Sequence, residues 1–260
     1  MSEQRTVIRF RAQAKDKLGY WLGQKLDELA FLTAAGIPYT KKLDGTTRPI
    51  TSQLPQLSFA SGITGPTSNR TVFPGAVTAT TGLTATDKMS WNLLIKAKAT
   101  AVRRRLKPIR IGGANTYVVV MSPEQARDLK SDPDYRSIVT QAGVRGDANP
   151  LFTGAFAKVD GLVLYEHARV PTTLGTASGS KYGAGGTVDG ATALFLGAQA
   201  LGFARIGDAA WDESDNQDYG NREGIAYGRM IGFAKPTFKS AYDNNTEQDF
   251  AMQVIYTAAA

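Results

Sequence analysis

The chain has 260 residues, 42% of them hydrophobic, so it can bury a sizeable core as one elaborated domain or two smaller ones, and disorder of the whole chain is excluded. It contains no cysteine and one histidine, which excludes disulfide frameworks, thiol nucleophiles, cysteine-ligated zinc and any site that needs two imidazoles. Thirty basic residues against 23 acidic ones leave a net charge of +7, which favours contact with an anionic partner.

No apolar stretch approaches the roughly 20 residues that cross a bilayer. The N-terminal Met-Ser-Glu-Gln-Arg-Thr lacks the basic start and apolar centre of a signal peptide. We therefore expect no membrane contact and a protein that folds in the cytosol of its maker.

The first predicted element is a long helix over residues 5–35. Gly36 and Pro38 are expected to end it. At 1.5 Å per residue it would be about 45 Å long, enough to span a whole subunit. Its apolar positions recur at spacings of three, four and seven: Ala14, Leu18, Trp21, Leu22, Leu29 and Leu32.

Residues 39–83 are crowded with Thr, Ser, Gly and Pro and predict an extended loop or weak hairpin. A second helix, over 85–107, is expected to open at Thr84, with Asp87 three residues on in a capping-box arrangement. Pro108 limits how far this helix can run.

The run Tyr-Val-Val-Val-Met at 117–121 predicts a strand buried on both faces. Ser122 and Pro123 follow at once and match an N-cap with proline at the first helical position. Further strands are expected over 162–167, 225–238 and 249–257, with a glycine-rich loop over 175–190. A strand that feeds directly into helices favours a mixed α+β fold.

Basic residues are concentrated between Lys88 and Arg110, with no acidic residue among them. Such a stretch either solvates one face of the second helix or binds phosphate or an acidic neighbour. No aromatic side chains are interleaved for base stacking, so contact with DNA would be loose and independent of sequence. The candidate inter-subunit or DNA-facing residues are Lys96, Lys98, Arg103, Arg104, Arg105 and Lys107.

Acidic residues cluster between Asp208 and Glu223, opposed by a single basic residue, Arg222. The spacing lacks the alternating ligands and central glycine of a calcium loop, so we expect a solvated or interface-facing acidic loop and no metal site. The candidate interface residues are Asp212, Glu213, Asp215 and Asp218.

No catalytic motif is present. His167 ends a predicted strand, and its neighbour Glu166 should point to the opposite face, so we expect a structural or surface histidine. No nucleotide-binding glycine motif and no nucleophile signature occurs. We predict no enzyme activity and no cofactor.

Several segments resemble, in order and at similar spacing, the major capsid protein family typified by the N-four-like podoviruses, which is related in fold to the Hong Kong 97 capsid protein. The resemblance covers more than 200 residues, and its most telling part is the C-terminal third. The matching segments are 11–27, 111–123, 145–154, Leu-Gly-Ala-Gln-Ala at 196–200, Asp-Tyr-Gly-Asn at 218–221, Gly-Phe-Ala-Lys at 232–235 and Asp-Phe at 249–250.

The resemblance implies an α+β, Hong Kong 97-like capsid fold with a long spine helix, a peripheral domain and an axial domain with a central β-sheet. Residues 1–110 would then be mainly peripheral, with the spine helix, the loop and the second helix. Residues 111–225 would be mainly axial, and 226–260 would supply C-terminal strands that return to the peripheral/axial sheet.

The function implied is that of a major capsid protein, which self-assembles through hexamers and pentamers into the icosahedral shell around the double-stranded DNA of a phage. The expected partners are other copies of the chain, the portal, scaffolding or decoration proteins, and packaged DNA by nonspecific contact. The alternatives are a sequence-nonspecific nucleic-acid-binding module, which the basic stretch favours, and another structural virion protein. We expect assembly in the host cytoplasm and a final place in the virion.

Family members carry a longer segment before the spine helix, with an N-terminal arm and an extended loop over a neighbouring subunit. This chain begins almost at the helix. We expect either a shortened or processed form, or a loop over 39–83 that takes part of that clasping role.

Overall fold

A computed structural model of the chain describes residues 10–49, 63–141, 157–217, 222–239, 241 and 244–259. Four helices lie in these ranges: α1 Phe10–Ala35, α2 Trp91–Arg103, α3 Pro123–Ser131 and α4 Pro133–Gln141. The strands are β1 Thr71–Val72, β2 Ile109–Ile111, β3 Ala114–Met121, β4 Ala157–Val159, β5 Leu162–Glu166, β6 Gly190–Leu196, β7 Gly202–Gln217, β8 Arg222–Ala234, β9 Thr237–Lys239, β10 Glu247–Asp249 and β11 Met252–Ala258. The mixed helix-and-sheet class is confirmed.

The helix predicted over 5–35 is confirmed as α1 from residue 10, and residues 5–9 lie outside the described part. Gly36 adopts a φ of +71°, a left-handed conformation that suits glycine, and its N–H donates to the Thr33 carbonyl at 3.1 Å. The N–H of Ile37 reaches back to the Leu32 carbonyl at 2.9 Å. These two bonds close the last turn and end the helix where the sequence indicated.

A seven-stranded mixed sheet lies at the centre of the described fold. Its order is β1, β11, β6, β3, β5, β4, with β2 also paired to β3. The strand predicted over 117–121 lies in β3, the centre of this sheet, with β6 antiparallel on one side and β5 parallel on the other. The C-terminal strand β11 lies between β1 and β6, so the sheet is complete only when the end of the chain is in place.

Helices pack on both faces of the sheet, because alternate side chains of a strand point to opposite faces and each set contacts a different helix. Val119, Phe195 and Ile255 pack with α2 and α3 in the largest apolar cluster. Leu194 and Val254, which directly precede Phe195 and Ile255 in their strands, point to the other face and pack with the C-terminal end of α1. The sheet is therefore the middle layer between α1 and the other helices.

Buried amides fasten the helices to the sheet. The Gln125 amide donates to Thr257 Oγ1 at 2.8 Å and ties α3 to β11. The Gln253 amide donates to the Ala97 carbonyl at 2.8 Å and ties β11 to α2. Since a buried amide without a partner is costly, these bonds select one arrangement of helices on the sheet.

Strands β7 and β8 form a separate long antiparallel hairpin. Ile231 and Phe233 of β8 pack against Leu29, Leu32 and Tyr39 at the end of α1 and the turn after it. The C-terminal turns of α1 thus contact both the sheet and the hairpin.

The second helix begins later and ends earlier than predicted. Thr84 and Asp87 do interact, because Thr84 N and Oγ1 each donate to Asp87 Oδ2 at 2.7 Å, but they close a turn that precedes the helix. Ser90 is the N-cap, and its Oγ accepts from the Leu93 N–H at 3.3 Å. The prediction of 85–107 was therefore wrong at both ends, and the helix stops at Arg103, well before Pro108.

The N-cap predicted at Ser122 is confirmed. Its Oγ accepts from the Gln125 N–H, the Gln125 side chain accepts from the Ser122 N–H, and Pro123 occupies the first turn. Two elements were not predicted: α4, which follows α3 after a single residue, and β6.

Part of the predicted loop over 39–83 is described. Residues 39–49 turn back on themselves through a bridge between Lys41 and Thr47. Single turns of 3-10 helix occupy 68–70 and 80–82, and β1 lies between them. The remaining residues of this loop, 50–62, and the resembling segment 145–154 lie outside the described ranges.

Arg48 fastens the turn over 39–49 to α1. Its side chain is 1% exposed, its Nη2 lies 2.7 Å from Glu28 Oε1, and its Nε donates to the Tyr39 carbonyl at 3.0 Å. Burial opposes the ionisation of Glu28, but hydrogen bonds from Lys25 and Arg48 outweigh that effect and hold the pKa of Glu28 below its ordinary 4.5. Ionised Glu28 therefore stabilises the folded state.

We expect Glu28→Gln to lower the free energy of unfolding by about 2 kcal/mol at pH 7, because the buried Arg48 loses its charged partner. A carboxylate with a lowered pKa stabilises the fold above its unfolded-state pKa, and this contribution is lost as the pH falls through 4.5 and below. Urea denaturation at pH 7 and pH 3 should show the difference between the two proteins shrinking at pH 3.

The control is Asp27→Asn, one residue away, whose side chain is 60% exposed and lies 3.4 Å from Arg169. It should change stability little, since exposed ion pairs contribute little. An equal loss for Glu28→Gln at both pH values would contradict the assigned role of the ionised Glu28.

Candidate interaction surfaces

The three candidate lysines of the basic stretch all make contacts within the chain. Lys96 Nζ donates to the carbonyls of Phe73 and Gly75, both at 2.8 Å, and so holds the segment after β1 against α2. Lys98 Nζ lies 2.7 Å from Asp160 Oδ1 in the turn between β4 and β5. These two lysines therefore have structural partners in the subunit.

Lys107 is also engaged. Its Nζ donates to Gln199 Oε1 at 2.6 Å and lies 5.5 Å from the ring centroid of Phe250. Its carbonyl accepts from the N–H of Ala198 at 2.9 Å. The segment after α2 is thereby joined to the segment between β6 and β7.

The three candidate arginines lie at the end of α2. Arg103 is exposed in the last turn, Arg104 is half-buried at the C-cap, and Arg105 is exposed with a φ of +55°. Within the described ranges, Arg103 has no hydrogen-bond or ion-pair partner. It is the candidate residue of the basic stretch whose charge is available to a second molecule.

The acidic segment is not a loop where it is described. Residues 208–217 belong to β7, which pairs antiparallel with β8 and has irregularities between Ile206 and Ala210 and between Ser214 and Gln217. The prediction of an acidic loop was wrong because Ala210 and Trp211 continue the ladder between the acidic residues, opposite Gly228 and Tyr227. Exposed charge is compatible with a strand whose outer face meets solvent.

Asp208, Asp212 and Glu213 are exposed, and Glu213 accepts a hydrogen bond from Trp211 Nε1 at 2.7 Å. Asp215 lies on β7, but its side chain is outside what the structure describes, as is the whole of Asp218. The described part of the acidic segment therefore presents three carboxylates along one strand of the hairpin.

His167 follows β5 directly. Its ring stacks on Phe31 of α1 with centroids 4.8 Å apart, and its Nδ1 accepts from the Arg169 N–H at 3.2 Å. Glu166 instead lies 3.0 Å from Lys130 of α3. The two side chains thus point to different elements. The interpretation of His167 as a structural or surface residue is confirmed.

Two open clefts on the described surface have charged side chains in their walls. One is lined partly by Asp87, Asp128 and Asp132 at the start of α2, and the other by Glu28 and Arg48 beside Asp44. The carboxylates of the first cleft accept internal hydrogen bonds, as when Asp132 Oδ2 accepts from the Trp91 N–H at 2.6 Å.

In the described ranges, no group of three or more acidic, histidine or cysteine side chains is arranged to hold a metal ion. Among the helices described, none combines the length and apolar character needed to cross a membrane. The candidate charges that the described structure leaves exposed include Arg103 at the end of α2 and the carboxylates of β7.

Comparison with known proteins gives one consistent result. Residues 1–260 match the family model described as phage capsid protein. The major capsid protein of Pseudomonas phage KPP25 is 41% identical over 269 residues, an alignment that covers all of this chain and 70% of that protein.

Solved capsids have the same fold. The capsid of Ralstonia phage GP4 matches with a TM-score of 0.76 and 28% identity, over 99% of this chain and 69% of that one. The capsid asymmetric unit of cyanophage Pam1 matches with a TM-score of 0.71 and 18% identity, over 100% of this chain and 72% of that one.

Proposed function

Because the chain belongs to the phage capsid protein family and is a bacteriophage major capsid protein rather than an enzyme, we propose that its copies form the hexamers and pentamers of an icosahedral shell around double-stranded DNA. The observation that carries this proposal is the family match along the whole chain, together with a TM-score of 0.76 to a solved capsid.

We further propose that the fold is of the Hong Kong 97 type and that the chain falls in the N-four-like subfamily. A 26-residue helix, α1, beside a mixed sheet is consistent with a spine helix and an axial domain. The collinear segments in the C-terminal third support the subfamily.

The packing suggests where the two domains of such a fold would divide. We propose that α1 and the β7–β8 hairpin form the peripheral domain and that the seven-stranded sheet with α2, α3 and α4 forms the axial one. This moves α2 and β7 from the domains drawn on the sequence. Leu94 and Ala97 of α2 are buried in the sheet's own cluster, and β7 pairs with β8 outside that sheet.

The surface charges support association between copies more than tight binding of DNA. At least Lys96, Lys98 and Lys107 of the six candidate basic residues are held by partners in the same subunit, which leaves a sparse positive surface for phosphates. Contact with packaged DNA would then be weak and nonspecific. By the same family argument, we propose portal, scaffolding and decoration proteins as partners. We also propose that assembly occurs in the host cytoplasm and that the protein then forms part of the virion.

The proposal predicts that the purified chain forms closed shells, or rings of five or six subunits, because many weak contacts become collectively strong in a closed assembly. Negative-stain electron microscopy should show them, with the mass measured by light scattering on the same sample. A monodisperse monomer that shifts naked DNA in a gel would instead favour the nucleic-acid-binding alternative.

A charge contribution to assembly predicts that Arg103→Glu lowers the yield of shells at about 0.15 M salt and weakens the dependence of that yield on salt, since exposed pairs are screened. Light scattering across a salt series measures both effects. Lys158→Glu, an equal charge change at an exposed position on the edge strand β4, is the control and should assemble like the parent protein. If the Arg103 variant assembled like the parent protein, the Arg103 charge would not contribute to assembly.

A further inference from the structure

The outer face of the β7–β8 hairpin exposes apolar side chains. Ile206 and Met230 are register partners, and they are 73% and 70% exposed. Because Ile231 and Phe233 pack on α1 and side chains alternate, Met230 and Ile206 point away from the subunit. Large apolar side chains exposed side by side indicate an interaction surface.

The face around this pair is open. At Gly228 and Gly232, no atom lies within 4 Å of the position that a Cβ would take. Asp212 stands on the same face, opposite Ala226, and is exposed, while Asp208 is exposed in the irregular segment next to Ile206. This hairpin face therefore consists of the apolar pair Ile206 and Met230 surrounded by glycine and alanine, with carboxylates nearby.

Helix α2 also exposes apolar side chains, but next to a positive charge. Ile95, Ala99 and Val102 recur at spacings of four and three, which places them along one side of the helix. Ile95 is 43% exposed and Val102 58% exposed, although the opposite side of α2 is buried in the sheet's cluster. Arg103 is adjacent to Val102, exposed, and unpaired within the described ranges. This α2 face is an apolar stripe flanked by positive charge.

We propose that the hairpin face of one copy packs on the α2 face of the next copy, with Ile206 and Met230 against Ile95, Ala99 and Val102, and with Asp212 near Arg103. The inference rests on the proposed function, because it assigns one contact of the shell. The two faces differ, so the contact is head-to-tail and can be repeated from copy to copy until rotation closes a ring. Apolar burial provides most of the affinity, and the charges set orientation.

The absence of cysteine from the sequence makes this contact directly testable. A Val102→Cys, Met230→Cys double variant, oxidised after assembly, should give a ladder of covalent oligomers beyond the dimer on a non-reducing gel, and reductant should collapse it. Each single variant can give at most a dimer. The matched control, Val102→Cys with Leu174→Cys, uses a loop residue that is 44% exposed and should give no ladder.

Microscopy of the same samples separates the two proposals. Shells with a ladder in the test pair alone support the contact. Shells with no ladder, or with an equal ladder in the control, would overturn the contact and leave the capsid function standing. If neither the double variant nor the unmodified chain forms shells, and the double variant gives no ladder, the proposed function would be overturned along with the contact.

Discussion

The C-terminal turns of α1 are the packing element on which the other layers depend. Leu29 and Leu32 face the hairpin, whereas Ala34 and Ala35 face the sheet, so one helix end is buried in two clusters at once. Because protein interiors are close-packed, neither layer can shift on α1 without loss of contacts to the other. The sheet, with α2 on its far side, and the hairpin are thereby held in one spatial relation. The proposed contact between the α2 face of one copy and the hairpin face of the next requires that rigidity.

Local signals predicted the elements that depend on local chemistry. Helix α1 ends at Ala35 because Gly36 can take a positive φ, and α3 begins after Ser122 because its hydroxyl caps the first turn. The start of α2 was misplaced because Thr84 and Asp87 form the same contact in an isolated turn as at a helix start. Strand β7 was missed because its acidic residues hid an alternation that only pairing with β8 reveals.

The sequence predicted the charged part of the candidate surface only incompletely. A run of basic residues in the sequence does not tell which charges are free, and Lys96, Lys98 and Lys107 turn out to be held within the subunit by partners 21 to 92 positions away in the chain. Arg103 remains exposed at the end of α2. The apolar component was not visible at all, since Ile206 and Met230 are neighbours only through the hairpin register.

The most direct test of the account is native-state hydrogen exchange on Leu32→Ala. Leu32 is fully buried, and its truncation should cost about 2–5 kcal/mol. If α1 holds sheet and hairpin together, amide protection should fall in β6 and β11 as well as in β7 and β8, and the yield of shells should fall with it. Tyr20→Ala, on the same helix at a residue that is 71% exposed, should leave both unchanged. Loss of protection confined to α1, with shells forming as before, would contradict the account.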